Sequence, residues 1–172
     1  MGLERVFEIS NFYRAEKSHT GRHLTEFTSI DIEAAFMDYE DVMDILEYLV
    51  LEVYKFASEN CKKEQEVIGH TIEIPVSPFE RITYSDCIEE LKKEGEKVEF
   101  GDDLLDSHLR IIGKNHPGFY FLIDWPMKLK PFYIREKDED PTLSRSFDLQ
   151  YGFLELSSGG TRGHDAEILK AR

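Results

Sequence analysis

The chain has 172 residues with 41% hydrophobic content, enough for one domain with a packed core. Its 35 acidic residues against 21 basic ones give a net charge of −14, which disfavours a broad phosphate-gripping surface, because nucleic-acid affinity comes mostly from Lys and Arg. No apolar run approaches the ~20 residues of a membrane span and no secretory leader is visible; Cys61 and Cys87 make neither a metal nor a redox spacing and read as reduced thiols of a cytoplasmic protein.

In chain order, Arg5 to Tyr13 is rich in β-branched and aromatic residues and reads as a strand. Glu26 to Phe36 alternates: Glu26, Thr28, Ile30, Ile32 and Ala34 fall on one face, and Phe27, Ser29, Asp31 and Glu33 on the other. The turn formers Ser18, Thr20 and Gly21 make the join a hairpin, with Arg14, Glu16, Arg22 and His23 around its tip. Arg offers a planar fork of donors to a phosphate or carboxylate, Glu accepts from an amino group, and Phe27 offers a flat face to a base.

A long helix follows, capped by Asp38 or Asp41, with Val42, Ile45, Leu46, Leu49, Val53 and Phe56 on one apolar face and an end near Asn60 to Lys63. Gln65 to Ile74 alternates weakly and is expected as a strand, before Pro75 and Pro78 break regularity. Ser85 is the expected cap of a short helix through Leu91, ended by Gly95, and Asp102 to Ile112 reads as a helix stopped by Gly113. Residues 64–115 carry no chemical signature, and His70, His108 and His116 read as surface or hydrogen-bonded histidines. Phe119 to Asp124 suits a buried strand, Lys130 to Ile134 a second, and Phe147 to Ser157 a third, interrupted at Gly152; the acidic run Glu136 to Pro141 is a solvated loop.

That last strand holds a second constellation. Asp148 and Glu155 are seven apart, which puts them on opposite faces of an unbroken strand and on one face if Gly152 makes a bulge. With the Ser158 hydroxyl they form an oxygen-rich set suited to Mg²⁺ shared with a triphosphate. Gly159 and Gly160 would let the backbone approach a ligand, and Arg162 could hold a carboxylate. The open alternative is that both acids face solvent from an edge strand and the glycines are only a turn.

The run from Phe12 to Phe36, FYRAEKSHTGRHLTEFTSIDIEAAF, resembles motif 2 of the class II aminoacyl-tRNA synthetases, in the aspartyl/asparaginyl subgroup and closest to its archaeal-type aspartyl branch. FDLQYGFLELSSGGTR resembles the segment just before motif 3 of that branch, and DWPMKLKPFY the strands ahead of it. The resemblance implies an α/β (α+β) fold, an antiparallel sheet with flanking helices, incomplete. It implies a catalytic core fragment of an aspartate–tRNA ligase, with ATP and Mg²⁺, forming aspartyl-adenylate and passing the acyl group to tRNA. By the same resemblance Arg14 contacts the α-phosphate and the amino-acid carboxylate. Glu16, Arg22, His23, Leu24 and Phe27 contact ATP, as does Glu155. Glu155, Ser158 and Asp148 hold the metal, and Ser158 and Arg162 read aspartate.

Residues 1–172 correspond on this reading to part of a catalytic domain, from motif 2 to the segment before motif 3. The anticodon-binding barrel, motif 1 with its homodimer interface, and motif 3 are expected elsewhere than in this stretch. Three other functions fit the same residues: an asparaginyl or non-discriminating ligase, a paralogue that amidates aspartate to asparagine, and an inactive paralogue that binds nucleotide or a partner. The Ser157 to Arg162 wording favours the aspartyl side.

Overall fold

A computed structural model describes residues 2–15 and 24–172. Residues 1–37 and 38–172 form two compact units.

The first unit is a hairpin of β1 (Arg5–Tyr13) and β2 (Glu26–Ala34), antiparallel and in continuous register from Arg5↔Ala34 to Tyr13↔Glu26. Side chains on a strand alternate between faces, so the pairing puts Phe7, Ile9, Ile30 and Ile32 together on one face and Phe12, Phe27, Glu8 and Asp31 on the other. The alternation expected from the sequence is therefore borne out. The bond from Arg14 N–H to Thr25 O carries the ladder one step past the strands, 3.0 Å long.

The second unit opens with α1 (Tyr39–Asn60). Asp38 caps it and exchanges hydrogen bonds with Asp41 in a capping box, which satisfies amide groups that the first turn would otherwise leave bare. The expected apolar face divides. Val42, Leu46 and Val50 pack inward with Tyr39 and Met43, whereas Leu49, Val53 and Phe56 are exposed. The segment expected as a strand from Gln65 to Ile74 begins instead in α2 (Lys62–Ile68), and its remainder forms no strand. The Gln65 carboxamide donates to the carbonyls at the end of α1 and accepts from Ile72 N–H, and Gly69 closes the helix at φ 64°.

A four-stranded sheet follows, ordered β3 (Glu80–Thr83), β4 (Phe119–Ile123), β5 (Ser146–Tyr151), β6 (Leu154–Gly160). It is antiparallel as expected except that β3 and β4 run parallel. A parallel pair needs a crossover, which α3 (Tyr84–Lys93) and α4 (Asp106–Asn115) supply. The cap of α3 is Thr83, not Ser85: β3 runs straight into the helix, and Thr83 Oγ1 accepts from Asp86 N–H at 3.1 Å. Nor does Gly113 stop α4; it lies inside the helix. Lys130 to Ile134 is not a strand. A 3₁₀ turn at Met127–Leu129 precedes it, and in place of a ladder the segment makes the isolated bridge Ile134↔Arg162. A last helix, α5 (Ala166–Ala171), follows β6.

The sheet separates two cores. Phe121, Phe147 and Leu149 face α1, and Tyr120, Leu122 and Ile82 face α3 and α4 with Trp125 and Leu104. Both cysteines are free, and burial pushes the Cys87 thiol up to about 12, so it stays protonated and unreactive.

At the end of α4, His116 bridges two elements: Nδ1 lies 2.8 Å from Glu80 Oε2 on β3, and Nε2 lies 3.0 Å from Glu90 Oε1 on α3. Burial lowers its pKa, but the two carboxylates outweigh that and hold it above the ordinary value of 6.5. An imidazolium donates from both nitrogens, so this brace is complete only when charged. Its contribution is fully present below the unfolded pKa and is lost as pH rises through the raised folded one. Urea midpoints measured from about pH 6 to pH 9 should fall with pH in the wild type, and His116→Gln should remove that slope.

Candidate functional site

Positions Asp148 and Gln150 lie two apart on β5 and so share a face. Across the ladder Asp148 pairs with Ser158 and Gln150 with Glu155, so all four belong to the face that carries Tyr120 and Leu122. Glu155 and Ser158 are three positions apart, an odd spacing that would put them on opposite faces of a regular strand. The pairing slips between Leu149 and Gln150, leaving Leu156 as the extra residue of a bulge, and the slip restores them to one face. A bulge was expected at Gly152; that glycine, at φ 55°, instead forms the turn from β5 to β6.

The four side chains line a cavity of about 240 Å³, together with Asp103, Leu104, Leu109, Trp125, Leu129 and Lys130. Glu155 and Ser158 are exposed, whereas Asp148 is buried, which removes the solvent-edge alternative for Asp148. Lys130 Nζ donates to both Asp148 oxygens, at 3.0 and 3.1 Å, and lies 4.2 Å from the centre of the Trp125 ring. Burial raises the Asp148 carboxyl to about 6 against the opposing charge of Lys130, with Glu155 adding to the rise. Gln150 Oε1 and Trp125 Nε1 are buried with no hydrogen-bond partner among the described residues.

Arg162 does not line this cavity; its guanidinium stacks 4.4 Å over Tyr133, beside the Ile134 bridge. Gly159 and Gly160 are packed closely against the chain itself. A Cβ on Gly159 would lie 2.8 Å from the Phe147 ring, and one on Gly160 would lie 2.7 Å from Arg145 O. In the hairpin unit Phe12 and Phe27 stack at 6.1 Å, and the Arg14 guanidinium lies 5.3 Å over Phe27. Leu24 is exposed. Glu16, Arg22 and His23, expected around the hairpin tip, lie outside the described residues.

Among the described residues no three His, Cys, Asp or Glu lie close enough together to hold a metal ion. Glu155 and Ser158 fit Mg²⁺ as two oxygen donors whose remaining partners come from a nucleotide. Asp148 fits it poorly, since Lys130 occupies both its oxygens. Among the described residues no helix is long and apolar enough to cross a membrane.

Sequence reasoning passed over Lys130, Gln150, Trp125 and Asp103. Gln150 carried a usable signal, a polar residue two positions from Asp148 within an apolar strand. Asp103 carried none, because it lies in a loop whose approach to the sheet depends on the α3–α4 crossover.

Residues 1–172 match the family of tRNA synthetases class II (D, K and N). The chain is 49% identical to the aspartate–tRNA(Asp) ligase of Thermoplasma volcanium over 172 residues, which is 99% of the chain and 40% of that protein. It is 44% identical to the aspartate–tRNA(Asp/Asn) ligase of Methanothermobacter thermautotrophicus, over 98% of the chain and 38% of that protein. The asparaginyl-tRNA synthetase of Pyrococcus horikoshii, solved with asparaginyl-adenylate, superposes with a TM-score of 0.89 at 34% identity, covering 99% of this chain and 40% of that one. The chain thus spans about two fifths of the length of the relatives it matches.

Proposed function

As the chain belongs to the class II tRNA synthetases (D, K and N), we propose that it carries part of the adenylation site of an aspartate–tRNA ligase. The observation that carries this reading is the bulged β5–β6 ladder, which gathers Asp148, Glu155 and Ser158 on one cavity wall in a chain 49% identical to such a ligase. The substrates on this reading are ATP, aspartate and tRNA. Residues 1–172 are a stretch of the catalytic domain, working as a homodimer.

The reaction needs no protein nucleophile. A carboxylate oxygen of aspartate attacks the α-phosphorus, a P–O bond forms in line with the one that breaks, and pyrophosphate leaves with the electron pair. Arg14 presents its fork to the α-phosphate and the aspartate α-carboxylate, and holds them in reacting geometry. Its stacking on Phe27 restricts the guanidinium, and an adenine ring can use the remaining aromatic surface. Mg²⁺, when bound, would offset charge on the phosphate oxygens. Glu155 and Ser158 are the chain's contacts for it. Arg162, steadied over Tyr133, reads the aspartate side-chain carboxylate.

A second reading, adenylation of asparagine or charging of both tRNAs, draws on relatives named for Asp and Asn together and on the asparaginyl enzyme among the structural neighbours. Pyrophosphate exchange into ATP separates aspartate from asparagine as the activated amino acid, and aspartylation of the asparagine tRNA reads the charging of both tRNAs. A complete catalytic domain that includes residues 1–172 should exchange with aspartate and not with asparagine. Arg14→Ala and Glu155→Ala should each lower the rate by about 10²–10³-fold. A complete domain that is folded by circular dichroism but neither exchanges nor binds an aspartyl-adenylate analogue overturns the proposal, and exchange with asparagine alone establishes adenylation of asparagine.

A further inference from the structure

The cavity on the β5–β6 ladder holds carboxylates from Asp103, Asp148 and Glu155 and the ammonium of Lys130. That ammonium is fixed from two sides. It bonds both oxygens of Asp148 at 3.0 and 3.1 Å, and it sits 4.2 Å from the Trp125 ring centre, where the negative face of the indole attracts a cation. Little solvent reaches the pair: the side chains are 15% and 7% exposed. A buried pair of this kind is costly to break, since either partner alone would be an uncompensated charge.

Mg²⁺ demands oxygen ligands at about 2.0–2.1 Å. To reach Asp148 it would have to displace an ammonium already bonded to both oxygens and bring two positive charges together inside the cavity. No such conflict arises at Glu155 and Ser158, which are exposed to solvent and make no bond to Lys130. The lack of any group of three metal-binding side chains among the described residues agrees with a cation that takes few ligands from the chain.

We infer that Lys130 is a positioning residue of the adenylation site: a built-in cation that keeps Asp148 for itself and confines a divalent ion to Glu155 and Ser158. The inference rests on the proposed function for its nucleotide, but the assignment of Asp148 to Lys130 stands on geometry alone. Asp148 then serves as the anchor of Lys130.

Mn²⁺ binding followed by electron paramagnetic resonance tests this, with and without ATP, in the wild type and in the Lys130→Met, Lys130→Arg, Asp148→Asn and Glu155→Gln chains. Lys130→Met frees Asp148 and should tighten Mn²⁺ binding at least fivefold in both conditions, and Lys130→Arg should restore the wild-type affinity. Glu155→Gln should weaken Mn²⁺ binding with ATP at least tenfold, and Asp148→Asn should change it less than threefold. A loss in Asp148→Asn as large as in Glu155→Gln overturns the inference, as does a Lys130→Met chain that is folded and binds no tighter. Should Lys130→Met fail to fold, the comparison of Asp148→Asn with Glu155→Gln still decides. Failure of the wild type to bind ATP sinks the proposed function instead, and the ATP-free measurements remain to judge Lys130.

Discussion

Replacing Asp38 with Ala should cost about 2–3 kcal/mol and lower the melting temperature by roughly 5–10 °C. Asp38 does three things at once. It caps α1, accepting from Tyr39 N–H at 2.7 Å; it pairs with Arg145 Nη1 at 2.5 Å; and it accepts from the Thr161 hydroxyl. A lost cap costs ~1 kcal/mol and a charged hydrogen bond about 1.5–3 kcal/mol. The carboxylate is 38% exposed, so the ion pair is screened and the sum falls short of additivity. Burial raises the Asp38 pKa, but the bonds from Thr161 and Tyr39 and the charge of Arg145 outweigh it, and the carboxyl sits below its ordinary 3.8. A depressed acid contributes stability above its unfolded pKa and loses it as pH falls through the folded one. The gap between wild type and variant should therefore narrow below about pH 4. Asp38→Asn, which still caps, should recover roughly half of the loss. Equal melting temperatures for wild type and Asp38→Ala would show that Thr161 and Arg145 hold α1 without it. Thr161 precedes Arg162, so the same substitution loosens the segment that carries the proposed aspartate reader.

How much of this was legible depends on whether a feature is local. The two faces of the hairpin follow from period-two alternation, and the structure keeps that alternation along the ladder from Arg5↔Ala34 to Tyr13↔Glu26. The α1 cap could be read as Asp38 or Asp41, and the structure uses both, Asp38 as the cap and Asp41 as its partner in the box. The convergence of Asp148 and Glu155 was legible only as a condition, since an odd spacing needs one irregularity. Sequence marks Gly152 as the obvious place, but the two-residue turn uses that glycine, and the slip occurs at Leu156, which no residue type announces. The strand expected at Lys130 fails because Pro131 donates no ladder bond and its neighbours make single bridges, not a ladder. Lys130 thereby becomes a cavity residue, which no strand pattern would suggest. The helix α2 was misjudged because Lys62–Ile68 is mostly polar, and the bonds of Gln65 to the end of α1, not an apolar period, fix it.

Gly113→Ala is the sharpest case of a residue whose local meaning misleads. Read locally, a glycine after an apolar helical run is a stop, and inside a helix it is a weakness that Ala would mend by about 1 kcal/mol. In α4 it is neither. A Cβ there would lie 2.3 Å from Gly152 C and 2.5 Å from Phe153 N. Both are backbone atoms of the β5–β6 turn, which cannot step aside as a side chain end could. The turn is pinned on two more sides, by Tyr120 Oη donating to Gly152 O at 2.8 Å and Gly152 N–H donating to Gly118 O at 3.1 Å. Forcing a methyl into that contact should cost about 3–4 kcal/mol, against which the helix gains only ~1 kcal/mol. The net loss of about 2–3 kcal/mol should appear as a fall of roughly 5–10 °C in melting temperature. Gly118→Ala is the control, because a Cβ there meets nothing within 4 Å, and it should leave stability nearly unchanged. The displaced turn also moves Glu155, the residue after Leu154 at the start of β6, so the Gly113→Ala chain should bind the aspartyl-adenylate analogue more weakly even where it remains folded. A Gly113→Ala chain more stable than wild type would mean that helix propensity governs this position and that α4 stands further from the turn than the contact distances require.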